Sequence, residues 1–268
     1  MKRLIILVFI SNLFAQGGVF LPYQGENVLG ISTLWESSDK FWRGDQERSL
    51  PNGKLKAQFH NLNYSFGIKN NQAIDIKTGY VDSEMNNQNS RGLSDTEIGW
   101  SKKLGKGDPF LDYIHSVRAA IIFRGSYQKQ LANAAGDGGS GFNLSYNVGR
   151  QDIEKGYYHQ FSLNTTVKNN RIPPEVGLSY QITKSVFNEI HIGLSLDYQS
   201  SIYGIDIGEA GYSFPKDFSR VKEESFSMNF GVSLPIFKQS FQFNYGRVLK
   251  GRNTAKSDSL SIYTSFYF

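Results

Sequence analysis

Over its last ten residues the chain alternates without a break. Leu260, Ile262, Thr264, Phe266 and Phe268 share one face, and Ser259, Ser261, Tyr263, Ser265 and Tyr267 share the other. Phe226 to Leu234, Ile190 to Tyr198, Val176 to Ile182 and Phe142 to Val148 repeat the pattern. A period of two is the strand signature, and beyond Gln16 no stretch approaches the roughly 18 apolar residues of a spanning helix. The alternating runs last about 9 to 13 residues, longer than the soluble mode of about 5 to 6 and close to what crosses a bilayer at a tilt. In lipid such strands must pair every backbone group by closing on themselves, apolar outside and polar within. The chain is therefore expected to be all-β, a transmembrane antiparallel up-and-down β-barrel of about 12 strands spanning residues 27–268, with 10 or 14 as the alternatives. This architecture also reconciles 20 Phe, 15 Tyr and 3 Trp with a mean hydropathy of −0.39.

The connections support an even strand count. Ser38 to Gly53, Gln128 to Gly138 and Ser200 to Glu223 are long, whereas the intervening ones, such as Lys184 to Phe187, are short. Long outer loops and short periplasmic turns alternate this way when both termini face the periplasm. In the second strand Ala57 and Phe59 follow one phase and Leu62, Tyr64 and Phe66 the other, so a bulge is expected near His60 and Asn61.

Ahead of the barrel, Lys2 and Arg3 precede the apolar run Leu4 to Ile10, and Ala15 stands before Gln16. This reads as a secretory signal peptide over residues 1–15, leaving 16–26 as a periplasmic or lumen segment. Its removal takes the formal charge from +5 to +3, and no nucleic-acid footprint is indicated. With no cysteine, a disulfide framework, a thiolate metal site and a cysteine nucleophile are excluded.

The stretch Ser261 to Phe268, with Tyr263, Phe266 and the final Phe268, resembles the assembly signal that bacterial outer-membrane barrels present to their insertion machinery. More narrowly, Ser38 to Asp45, Gly92 to Gly99 and the paired glycine-bearing strands that follow resemble the family named for the MetA pathway of phenol degradation, related to the long-chain fatty-acid transporters. That resemblance implies an outer-membrane location and uptake of hydrophobic, often aromatic, compounds. The chain departs from the fatty-acid transporters themselves, because residues 16–26 are too few for their N-terminal hatch.

An outward apolar face places Asp75 and Lys77 on the third strand, Asp95, Glu97 and Lys103 on the fourth, and Arg118 and Arg124 on the fifth inside the lumen. Opposite charges on neighbouring strands pair, so these residues form a structural ladder or a charged constriction that selects permeants. Ser145, Gly149, Gly177, Ser179, Gly193, Ser195, Gly231 and Ser233 leave the facing wall small and polar. Among the loops, Tyr203, Tyr212, Phe214 and Phe218 of the ninth connection join Phe41 and Trp42 of the first as candidates for an aromatic gate. Basic loop residues such as Arg43 and Arg252 are candidates for outer-membrane lipid.

The expected function is passive uptake of small, hydrophobic or aromatic molecules; the alternatives are a non-transporting structural or surface-interaction barrel and, behind both, an outer-membrane lipid hydrolase. No cofactor and no metal site are expected. His191 and Ser195 share a face, yet at i and i+4 on a strand they lie about 13 Å apart, beyond the reach of a nucleophile and its base.

Overall fold

The computed structural model describes residues 18–50, 53–85, 88–105, 113–128, 136, 138–152, 155–187, 190–210, 212–213, 218–236 and 239–268. The signal-peptide reading and Phe214 fall outside the described residues. The strands are β1 (Asn27–Ser38), β2 (Lys40–Arg43), β3 (Gln46–Ser49), β4 (Leu55–Lys69), β5 (Gln72–Met85), β6 (Gln88–Leu93), β7 (Thr96–Leu104), β8 (Ile114–Phe123), β9 (Gly141–Asp152), β10 (Tyr157–Lys168), β11 (Glu175–Phe187), β12 (Ile190–Ser201), β13 (Glu224–Ile236), β14 (Gln239–Arg252) and β15 (Asp258–Tyr267).

Neighbours in sequence pair antiparallel around a single sheet, and β1 closes it against β15 from Val28↔Tyr267 to Ser37↔Asp258. Both β6 and β7 pair with β5, so they form one wall strand interrupted at Ser94 and Asp95. β2 and β3 stand apart as a hairpin in the first outer loop. The result is a closed 12-strand antiparallel barrel.

The packing is inverted relative to a water-soluble sheet. Ile74, Ile98, Trp100, Phe142, Leu144 and Phe161 lie exposed on the outside, whereas Ser83, Ser116, Asn147 and Ser265 are among the most buried side chains. An exterior of this kind would be an aggregation liability in water and is what a hydrocarbon layer requires. Among the described residues no helix is long and apolar enough to cross a membrane; the crossing is made by strands.

The bulge expected near His60 does not occur. β4 pairs continuously with β1 from Asn27↔Phe66 to Ser38↔Leu55, and its irregularity falls instead between Gly67 and Lys69. The two hydrophobic phases are a real inversion of polarity: Leu55 and Ala57 are buried inside, whereas Lys56 and His60 are exposed outside. This third of the strand lies toward the long loops, where the outer face turns polar.

Candidate functional site: the lumen and its N-terminal strap

The charged wall is built by three adjacent strands. Asp75 stands beside Gly99 in register, and Lys77 beside Glu97. Arg118, from β8, lies across Gly99: its Nε donates to Asp75 Oδ1 at 3.0 Å and its Nη2 to Oδ2 at 2.6 Å. The Nη1 end pairs with Glu97 Oε2 at 2.9 Å. A Cβ on Gly99 would approach the guanidinium to 2.7 Å, so glycine there is what allows Arg118 to reach past β7. Sequence reasoning gathered the charges without this glycine. Its signal was an inward small residue between the bulky outward Ile98 and Trp100.

The other candidates separate from this triad. Asp95 occupies the break between β6 and β7, where its carboxylate accepts from Tyr127 Oη at 2.8 Å and Gly125 N at 3.1 Å and pairs with Lys168 Nζ at 3.1 Å. Lys103 has the inward parity of Ser101 near the turn end of β7. Arg124 lies past the wall strand: β8 ends at Phe123, and Arg124 is exposed beyond it. The reason is that Gly125 turns to bond Asp95, which breaks the strand's parity.

Across the lumen runs a segment of the chain itself. The Gly18 carbonyl accepts from Ser116 Oγ on β8 at 3.2 Å, and Val19 N–H donates to Gln160 Oε1 on β10 at 3.3 Å. Val19 is fully buried, and Phe20 meets the Tyr158 ring edge-on at 5.5 Å. Gly149 leaves the necessary room, since a Cβ there would come within 2.6 Å of Val19 Cγ2. At the far side Gly25 N–H donates to the Gly67 carbonyl at 2.8 Å, and a Cβ on Gly67 would collide with the Tyr23 carbonyl. Strands β8 to β10 face β1 and β4 across the ring, so residues 18–23 strap the full width of the barrel. Between the strap and the charged wall is a cavity of about 30 Å³, lined by Phe20, Leu21, Pro22, Asn63, Asp75 and Lys77, with room for ordered water.

The facing wall is a hydrogen-bonded polar lattice. Asn229 Nδ2 donates to Asp197 Oδ2 at 2.8 Å, and Ser195 Oγ to the same oxygen at 3.0 Å. Ser195 thus engages a carboxylate. Among the described residues no group of three His, Asp or Glu side chains could hold a metal ion.

The outer loops pack on one another. Trp42 is 6% exposed, its ring against Gly251, where a Cβ would fall 2.6 Å from Cε3, and Lys256 Nζ is 5.8 Å from its centroid. Phe41 bridges to Ala255. The ninth connection is docked by Asp206, which is bound by Arg252 and by Asn253 Nδ2 at 2.6 Å, and by Arg43 Nε on the Ile207 carbonyl at 3.1 Å. The Arg252 hydrogen bond, ahead of that of Asn253, holds the Asp206 carboxyl below its usual range. Tyr203 is 58% exposed, the Tyr212 backbone is held by the Glu209 carbonyl at 3.0 Å, and Phe218 opens a short 3-10 turn. Of the gate candidates, Trp42 is taken up by packing against Gly251 and Lys256 of the β14–β15 connection.

At the closure, Tyr263 points inward over Gly30, where a Cβ would meet its Oη at 2.6 Å. Phe266 and Phe268 point outward, 37% and 68% exposed.

No family model matches the chain, and no curated protein resembles it in sequence. Solved structures do. The COG4313 outer membrane channel from Pseudomonas putida F1 superposes with a TM-score of 0.75 over 93% of this chain and 97% of its own, at 13% identity. This is an outer-membrane β-barrel fold. KdgM porin follows at a TM-score of 0.52, covering 89% of this chain and 99% of its own at 10% identity, and NanC porin at 0.53, 89% and 98%, also at 10% identity. At such identities the likeness fixes the barrel and leaves the MetA-pathway family a resemblance only.

Proposed function

We propose that the chain, exported through a signal peptide over residues 1–15, is an outer-membrane channel for passive passage of small molecules, closed at its periplasmic end by the strap of residues 18–23. The observation that carries this reading is the nature of the obstruction. Much of the wall presents small and polar groups, with Tyr158, Tyr263 and Arg118 as larger inward side chains, and across the space they leave runs a length of main chain tethered at its ends, unlike a small barrel packed by wall side chains alone. Lumen-facing serine, asparagine and glutamine suit small polar solutes. The case for hydrophobic or aromatic solutes rested on the outer aromatics, and the burial of Trp42 weighs against it.

The complete burial of Val19 favours a second reading, a non-transporting barrel in which the strap is a permanent brace. Liposome swelling separates the two. With neutral sugars of graded size, the full chain should admit solute slowly, and a variant lacking residues 16–23 should admit it faster with a sharp size limit. If neither form admits the smallest sugar, the channel reading fails and the brace stands.

A further inference from the structure

The lipid-facing surface near the short turns is uneven. On one side of the barrel the outward residues at that level are apolar, among them Ile236, Phe268, Phe66 and Ile74. From β7 to β11 the same level carries Lys102, His115, Arg150, His159 and Lys184, set among tyrosines. Arg150 and His159 stand opposite each other in register and both address the Tyr113 ring: the guanidinium carbon lies 5.8 Å from its centroid and the imidazole 5.7 Å. His115 Nδ1 is fixed by Tyr146 Oη at 2.6 Å, and Lys184 Nζ sits 4.8 Å over Tyr157. Arg150 Nε is buried and has no hydrogen-bond partner. The acid described in this patch, Asp152, has Lys155 at 3.8 Å.

From this geometry we infer that the β7–β11 rim binds the phosphate of an anionic phospholipid in the periplasmic leaflet. Tyrosines mark the headgroup level of a membrane protein. A guanidinium at that level, beside an aromatic ring and with its Nε turned away from the surface, has its terminal N–H groups left for a phosphate. Arg150 and Lys184 are two strands apart and two residues offset along the strand, about 12 Å between their backbones, which their long side chains bring within reach of one headgroup. Four of the described outer-loop cations are committed within the protein: Arg252 to Asp206, Lys40 and Lys256 to Glu47, Arg43 to the Ile207 carbonyl. The basic rim at the other end instead faces lipid.

The test is native mass spectrometry of the full chain in detergent, titrated with phosphatidylglycerol or with phosphatidylethanolamine of the same acyl chains. Phosphatidylglycerol should bind more tightly. Arg150→Gln and Lys184→Gln should each weaken it roughly fivefold, and Arg247→Gln, on the lipid face at the outer rim, should leave it unchanged. Heat-modifiable gel migration reports folding of each variant; should Arg150→Gln fail to fold, Arg150→Lys keeps the charge without the fork and is expected to lie between it and the parent. Equal binding of the two lipids, or an equal loss in Arg247→Gln, overturns the assignment.

Discussion

Replacing Arg118 by methionine tests whether the charged wall holds the barrel together. The side chain of Arg118 is 2% exposed, that of Asp75 10% and that of Glu97 27%. Removal of the guanidinium takes away the fork onto Asp75 and leaves that carboxylate desolvated without a partner, whereas Glu97 retains Lys77 beside it. Breaking a buried pair by deleting one member costs about 3 to 5 kcal/mol, and deleting an exposed pair about 0.2 to 1. With one carboxylate buried and the other a quarter exposed, the expected loss is about 3 kcal/mol. Reversible urea unfolding of the barrel in lipid vesicles would measure it. Adding Asp75→Asn to Arg118→Met should restore most of the loss, because the neutral amide no longer needs a cation. A single variant costing under about 1 kcal/mol, or a double variant costing the sum of the two singles, would refute the buried-pair argument.

Two further outcomes follow from the outer end. Tyr127→Phe should destabilise by about 1 to 3 kcal/mol, because the hydroxyl both donates to Asp95 and accepts from Gly138 N at 2.9 Å; loss of protection at the Gly138 amide in hydrogen exchange would check it. Because the Arg252 hydrogen bond holds the Asp206 carboxyl below the ordinary carboxylate range, that carboxylate's stabilisation of the docked ninth connection is complete above the unfolded value and disappears only as pH falls through the lower folded value. Proteolysis of residues 202–223 should therefore be flat from neutral pH down to about 5 and rise only in stronger acid; a rise beginning near pH 6 would point to another group.

The barrel was legible in the sequence because period two, sustained over lengths that cross a bilayer, admits few other closures. The inward charges of β5, β7 and β8 were legible for the same reason, since parity assigns each residue a side. Parity fails where the strand ends, which is why Arg124 was placed inside and Asp95 assigned to the ladder: Gly125 bends to cap Asp95, a tertiary contact with no periodic trace. The polarity inversion in β4 imitated a bulge because a hydrophobic pattern records which medium each face meets, and that medium changes along a strand taller than the membrane. The strap was the least legible element. Residues 18–23 have no periodicity of their own, and their place is set by glycines far away in sequence, Gly149 on β9 and Gly67 on β4.

The claim that this strap closes a channel can be tested in one molecule. The chain contains no cysteine, so Val19→Cys with Gly149→Cys introduces a single possible bridge. A Cβ at Gly149 lies within 2.6 Å of Val19 Cγ2, inside the reach of a disulfide, whose Cβ atoms stand about 3.8 Å apart. In planar bilayers the oxidised protein should remain shut and the reduced protein should show openings, reversibly within one record. Conductance that is the same in both redox states, whether open or shut, would contradict the account.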